Sequence, residues 1–476
     1  MVWEFTETHI KRYPHFDGIV SAREFKEYAM SPQLVTKHAF YPFLQYNDEW
    51  IPFGERHIAR DRKSRPIRYA CRRDSAIYEY YRYLLSERYE ETLKDLGISN
   101  CPIAYRKIPR NDDSSHGKCN IDFAFDVFNI VKSMRGCCVV TLDISSYFEC
   151  IDHRRPKQCW GNLIEQNRLP DDHFAVFKSV TSYSYVDRDE LYERLGFLER
   201  IRLTSERTKY KYSVSKKETP IQLCSAREFR NLISGNNGIV RKNSQGYGIP
   251  QGSPISDLLA NLYLIDFDVM MNRYAQDQNG YYFRYSDGLI LILPGDDSGG
   301  HDAQSYASNK IMDCGDKLEI KEKKSSIRCF STTSDSRITY QYVSGNLGKT
   351  GLEYLGFRFD GKSVCLREST LSRFHRKIRQ PARSRARKLV KRYWGKGEDF
   401  LVEAFNTPKF IQRFSRVKDF HTLDNYHDWT FWTYVQRAID VFGSSDRKIY
   451  RQLSNHTNFI NKSISKELHR AMSEYN

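Results

Sequence analysis

The chain has no Cys-x-x-Cys pair; its 11 cysteines are scattered from Cys71 to Cys365, and only Cys137 and Cys138 are adjacent. This excludes the ligand spacing of a structural zinc ribbon or finger, and scattered cysteines in odd number predict a reduced, cytoplasmic protein. No window approaches the ~18 consecutive apolar residues of a membrane span. The opening MVWEFTETHIKRYPHF lacks an apolar core behind a basic stretch, so neither secretion nor a membrane partner is expected. There is no repeat at solenoid spacing and no low-complexity tract, so unlike segments build one catalytic or binding body. Acidic residues are also short: 59 Asp and Glu against 75 Lys and Arg leave a net charge of +16 over 476 residues. That surplus favours a polyanionic partner, RNA or DNA, over an acidic or neutral small molecule.

What is present fills several cores. The chain is 40% hydrophobic, enough for about three units of roughly 100–200 residues each, and 14% aromatic, which suits base stacking as well as packing. Charge is most uneven between Arg367 and Lys396, where twelve Lys and Arg face the single acid Glu368, giving eleven of the sixteen net charges. Apolar residues recur there every three or four positions from Leu371 to Tyr393, which predicts a basic amphipathic helix broken near Pro381. Helices are also predicted over 75–96 and 122–132, and in the C-terminal segments YHDWTFWTYVQRAIDVFG and DRKIYRQLSNHTNFINKSISKEL. CCVVTLDI, residues 137–144, reads as a buried strand ending in a carboxylate. YYFRYSDGLILIL, residues 281–293, reads as two strands about a Ser-Asp-Gly turn, and residues 352–364 as a hairpin turning at Asp360-Gly361-Lys362. Residues 184–236 are charged and irregular, and predict an insertion with weak short helices.

Asp143 and Asp287 therefore both stand at strand ends, where a carboxylate is useful as a metal ligand but ordinary as a cap. Between them YGIPQGSPISDLLANLYL, residues 247–264, combines a rigid Gly/Pro loop around Gln251 with a helix from about Ser256. With these segments the sequence resembles the reverse transcriptases, particularly the bacterial branch of group II intron, retron and abortive-infection or other defence-associated enzymes. TLDISSYFECIDH is similar to the first palm motif of that family, GIPQGSPISDLLANLYL to the second and FRYSDGLILIL to the third. KLEIKEKKSSI is similar to the fourth, LEYLGFRF to the primer grip, and the basic segment after it to the thumb.

The resemblance implies an α+β right-hand polymerase. It assigns 1–135 to an N-terminal extension and fingers, 136–365 to a palm with inserted fingers elements at about 184–240, 366–398 to the start of a basic helical thumb, and 399–476 to a helical extension. Two Mg²⁺ ions, with Mn²⁺ as a substitute, would be held by Asp143, Asp287 and the Ile144 carbonyl, with Lys324 near the leaving pyrophosphate. Phe148 would lie beneath the sugar and exclude a 2′-hydroxyl, although Tyr147 and Phe148 equally suit a core. Gln251 would approach the base pair. Lys63 and Arg65 are candidates for gripping the dNTP triphosphate, with Arg68, Arg72 and Arg73 in competition. Nucleic acid would run over Gly252, Leu355, Gly356, Arg376, Lys377, Arg383, Arg385, Arg387 and Lys388.

One position departs from the family. Its third motif carries two adjacent aspartates, and here the second is Gly288. Either Asp143 and Asp287 suffice, or the enzyme is slow or silent; Asp296 and Asp297 lie beyond the strand and offer no rescue. Two functions follow. One is an RNA-directed DNA polymerase extending a 3′ end or a protein hydroxyl, with antiphage defence implied by the helical C-terminal part. The other is a weak or inactive reverse-transcriptase-like subunit that binds nucleic acid or a catalytic partner. The resemblance implies a structured noncoding RNA, a second reverse-transcriptase subunit or no template at all, and a homo-oligomer is a further partner expectation.

Overall fold

The computed structural model describes residues 3–51, 62–110, 117–202, 208–214, 218–346, 350–414, 430–443 and 447–475. Strands β1 (Phe43–Trp50) and β2 (Lys63–Tyr69) form an antiparallel pair, followed by helix Arg72–Asp95. That helix begins three residues before the predicted 75–96 because its charged first turn is buried on partners: Arg72 Nη1 donates to Asp17 at 2.9 Å, and Asp74 accepts from His38 at 2.7 Å. Helix Asn120–Ser133 and strand β3 (Gly136–Asp143) come next, where the spacing predicts them.

Residues 184–236 are more regular than their composition suggests. Strand β4 (Ser184–Asp187) adds in parallel to β1, helix Arg188–Arg194 follows, and β5 (Leu198–Arg202) pairs with β6 (Thr208–Tyr212) as a hairpin. TKYKY alternates Tyr with Lys while LERIR carries its apolar residues three apart, and Leu198 meets Tyr212 across the pair, both packing with Leu191 and Tyr192. The two-residue β7 (Arg241–Lys242) completes a four-stranded sheet of order β2-β1-β4-β7.

Strands β8 (Tyr281–Tyr285), β9 (Gly288–Pro294), β10 (Ser326–Thr332) and β11 (Ile338–Gly345) join β3 in an antiparallel sheet of order β11-β10-β3-β9-β8. β3 is its centre. Cys138, Val140 and Leu142 face one core, shared with helices Ser256–Tyr263, Ile265–Asp277 and Asp297–Met312; Cys137 and Val139 face the other, shared with helix Asn120–Ser133. Burial on both faces explains why the strand reads as a continuous apolar run rather than an alternation.

The predicted hairpin at 352–364 is a three-stranded meander of β12 (Leu352–Tyr354), β13 (Phe357–Phe359) and β14 (Val364–Leu366). The Asp360-Gly361-Lys362 turn joins β13 to β14; a second, tighter turn at Leu355 and Gly356, both at positive φ, joins β12 to β13. The basic helix corrects the sequence reading, running unbroken as Glu368–Arg392 with Pro381 inside it. An interior proline, through its missing N–H and the clash of its ring with the carbonyl four residues back, costs about 3 kcal/mol. Phe374, Ile378, Ala382, Ala386 and Val390 bury a full stripe with Ile460, Ile464 and Leu468 of helix His456–Tyr475, at roughly 1.5–3 kcal/mol for each large side chain, which outweighs it. The C-terminal part is otherwise helical as predicted, in Glu398–Ala404, Thr407–Gln412, Phe431–Phe442 and Lys448–Leu453; residues 426–429 of YHDWT lie outside the described residues. All eleven cysteines are free. No helix among the described residues is long and apolar enough to cross a membrane.

Candidate active site

The central strand sets the site. In the β3–β9 ladder Asp143 stands opposite Gly288, so Asp287 in the β8–β9 turn falls one residue beyond the end of β3. The Ile144 amide donates to the Asp287 carbonyl at 2.8 Å and the Lys321 amide to the Asp143 carbonyl at 2.9 Å. Lys321 opens the short turn that carries Lys324, whose Nζ donates to Asp143 Oδ1. Three residues separated by up to 181 positions thus meet because β3 has β9 on one side and β10 on the other. The pKa of Asp287 is raised, first by burial and then by the Asp143 charge, with Lys324 and Arg65 opposing. Two like charges at one sheet end, with the Ile144 backbone between them, form a hard oxygen donor set that suits a divalent cation.

Gly288 is not required by the backbone. It has no positive φ, and a Cβ there would meet only the Tyr285 carbonyl at 3.5 Å, an ordinary contact. The turn has room for a Cβ at the position where the resembled family carries its second aspartate.

Below the turn lies a network that the sequence reading missed. Arg284 and Asp268, both fully buried, pair at 2.6 Å. Tyr282 Oη donates to Asp268 Oδ1 at 2.8 Å, and Arg284 Nη1 reaches Asn261 Oδ1 at 3.1 Å and the Ser286 carbonyl at 3.2 Å. Buried Asp268 holds the Arg284 pKa well above its ordinary value against the opposing effect of burial. Arg284 thereby ties helices Ser256–Tyr263 and Ile265–Asp277 to the Asp287 turn. Its alternation in YYFRY, pointing inward with Tyr282, was the available signal. Tyr105 was missed as well: its Oη donates to Ser286 Oγ at 2.9 Å, and its own pKa is raised by burial, with Asp287 adding to the rise and the Ser286 bond opposing it.

The structure sorts the competing cations. Arg72 is consumed by Asp17 and the Tyr13 and Asp17 carbonyls; Arg73 pairs with Glu24 at 3.2 Å. Arg68 is buried, paired with Glu149 at 2.8 Å and stacked over Tyr183 and Tyr185. Arg65 stays exposed beside Trp50, and its charge acts on Asp287; Lys63 stands at the exposed start of β2. Tyr147 is a core residue, buried with its hydroxyl on the Ala260 carbonyl, whereas Phe148 is half-buried and its carbonyl accepts from Ile249 at 2.9 Å. Gln251 gives its carbonyl to the Arg68 amide at 2.8 Å. Gly252 has φ +117, and a Cβ there would lie 2.7 Å from the Arg68 carbonyl, so close approach to β2 accounts for this glycine.

The predicted nucleic-acid residues divide. Leu355, Gly356 and Lys377 line one cleft of about 430 Å³ together with Arg367, Arg373 and Tyr434. Arg376 and Lys388 are exposed on the same basic helix. Arg383, Arg385 and Arg387 are engaged within the chain. Arg387 pairs with Glu474, Arg383 lies 3.9 Å from Glu467 and 3.8 Å from Glu474, and Arg385 stacks 5.0 Å over Phe405. Arg383 and Arg387 lie on the side that packs on the last helix and Arg385 turns to Phe405, a division that charge counting along the sequence does not make.

No protein-family model matches the chain, and no curated protein sequence matches it. Among solved structures it is similar to apo telomerase from Candida tropicalis, at 12% identity over 95% of this chain and 68% of that chain, with a TM-score of 0.39. It is similar to telomerase from Candida albicans in complex with a TWJ fragment of telomeric RNA, at 11% identity over 91% of this chain and 63% of that one, TM-score 0.34. It is also similar to a chain of an RdRp complex, at 12% identity and TM-score 0.33; the likeness covers 69% of this chain and 23% of that one. The chain thus spans less than two thirds of the Candida albicans telomerase chain and under a quarter of the RdRp chain.

Proposed function

We propose that the chain is a nucleic-acid polymerase of reverse-transcriptase type that adds dNTPs to a 3′ end or a protein hydroxyl. The observation that carries this reading is the meeting of Asp143, Asp287 and Lys324 at one end of a central antiparallel sheet. In this reading residues 136–365 are the palm with the 184–240 insertion, 1–135 the fingers, 366–398 the thumb start and 399–476 its extension. Asp143 and Asp287, with the Ile144 carbonyl, would hold two Mg²⁺ or Mn²⁺, which supply Lewis-acid activation of the attacking hydroxyl and neutralise the leaving phosphates. Lys324, which donates to Asp143, would offer its proton and charge to the departing pyrophosphate. Arg65 approaches from the β1–β2 side and would bind the triphosphate. Phe148 would stand under the sugar, and the cleft of Leu355, Gly356, Arg367, Arg373 and Lys377 would take the sugar-phosphate backbone of RNA or DNA.

Gly288 favours a second reading: a subunit that binds nucleic acid or a catalytic partner and synthesises little. Incorporation of labelled dNTPs by the purified chain with Mg²⁺ or Mn²⁺, with and without co-purifying RNA, separates the two. Product from the wild type that is lost in Asp143→Ala supports the polymerase. Product only after Gly288→Asp, which the open turn accommodates, supports the silent subunit. A role in antiphage defence, in the cytoplasm and with a structured RNA or a second subunit, is the extension of the polymerase reading that the helical C-terminal part supports by resemblance.

A further inference from the structure

Two non-glycine residues with left-handed backbones touch each other at the rim of the carboxylate site. Tyr105 has φ +66 and Ser286 φ +62, and the tyrosine hydroxyl donates to the Ser286 hydroxyl at 2.9 Å. Strained conformations of this kind persist only where the surroundings hold them, and here they do. The Cys101 carbonyl accepts from the Arg284 amide at 2.8 Å, and the Ile103 amide donates back to the Arg284 carbonyl at 2.9 Å, so the segment lies along the β8 edge. Asn261 Nδ2 holds the Ala104 carbonyl at 2.9 Å, and Arg82, itself bound to Asp257, holds the Tyr105 carbonyl at 3.0 Å. Every one of these bonds fixes backbone. Tyr105 is left 43% exposed overall, which a core-filling residue would not be, and its hydroxyl is turned to Ser286, the neighbour of Asp287.

We propose that Tyr105 is a positioning residue for Asp287: its hydroxyl, through Ser286, fixes the turn so that this carboxylate faces Asp143, in a site where Gly288 supplies no second carboxylate. The inference rests on the reading of Asp143 and Asp287 as cation ligands. Arg284 holds the Ser286 carbonyl from beneath and Tyr105 its hydroxyl from the rim, so the residue before the ligand is gripped at two points. Removing the upper grip frees the turn to rotate without opening the core.

The test is Mn²⁺ binding to the full chain, read by electron paramagnetic resonance, for wild type, Tyr105→Phe, Ser286→Ala, the double variant and Asp143→Ala, with a thermal melt of each. Tyr105→Phe keeps the ring and is expected to weaken Mn²⁺ binding about tenfold, the range for residues that orient a ligand, with its melting temperature unchanged. Ser286→Ala should match it, and the double variant should bind no more weakly than either single one, since all three break the same bond. Wild-type affinity in Tyr105→Phe, or a double variant whose loss is the product of the two single losses, would overturn the inference alone. Mn²⁺ binding that Asp143→Ala leaves unchanged would overturn the cation-site reading and this inference with it.

Discussion

The two ends of the β8 strand and its turn treat charge in opposite ways. At Arg284 a buried cation meets a buried anion, and Tyr282, Asn261 and the Ser286 carbonyl satisfy the remaining donors and acceptors. Three residues later Asp287 shares the sheet end with Asp143, and burial first and that like charge second raise its pKa. A fully paired network in a dry core serves geometry, since removing either partner strands a charge. Lys324 relieves Asp143, and in the proposed polymerase a divalent cation would relieve both carboxylates. The lesson is that the acidic pair is held by its neighbours rather than by its own energetics.

The comparison can be broken most directly by separating activity from stability. Asp287→Ala is expected to lower dNTP incorporation by about three orders of magnitude, the equivalent of several kcal/mol of lost charge stabilisation, while melting no lower than the wild type. A lowered melting temperature in that variant would make Asp287 a fold residue and collapse the contrast. Asp268→Asn should do the reverse, costing about 3–5 kcal/mol of folding stability by leaving Arg284 buried without its anion. Chemical denaturation reads this, and a loss under about 1 kcal/mol would mean the network is slack.

A smaller effect concerns pH. Burial and Asp143 raise the Asp287 pKa, so the folded chain keeps that proton to higher pH than the unfolded chain does. The contribution of this group to stability is therefore greatest below the ordinary aspartate value of ~3.9 and falls as pH rises through the window up to the raised pKa. Asp287→Asn removes the loss, and its melting temperature relative to wild type should climb between pH 4 and 7; a flat difference would refute the raised pKa that burial and Asp143 together impose. The smallest effects lie on the basic helix. Lys377→Ala should reduce the salt slope of RNA or DNA binding by about one, whereas Arg387→Ala, whose charge already faces Glu474, should leave the slope alone and cost under about 1 kcal/mol of stability.

Much of the site was legible because its segments carry strong local signals. The apolar run before Asp143, the Ser-Asp-Gly turn and the Gly/Pro loop around Gln251 each announce their own geometry. What was not legible depends on partners far away in the chain. Arg68 looked like a candidate for phosphate until Glu149 was seen beside it, 81 residues on. Arg383 and Arg387 looked like Lys388 until the last helix supplied Glu467 and Glu474. Pro381 ordinarily ends a helix, and only the stripe from Phe374 to Val390 packed on residues 460–471 explains why it does not. In the hairpin of LERIR and TKYKY only the second strand alternates, and the charge density of residues 184–236 hid the pair.

The placement of β3 between β9 and β10 also has a consequence for how the gene can change. Asp143 owes its position to one ladder on each side, so the loss or gain of a single codon within 136–143 would slide the strand by one residue and turn its side chains to the opposite faces. Cys138 and Val140 would then change cores together, and Asp143 would leave Asp287 and Lys324 in the same step. Reading-frame-preserving insertions should therefore be purged from the eight residues of β3, whatever amino acids those eight positions come to hold.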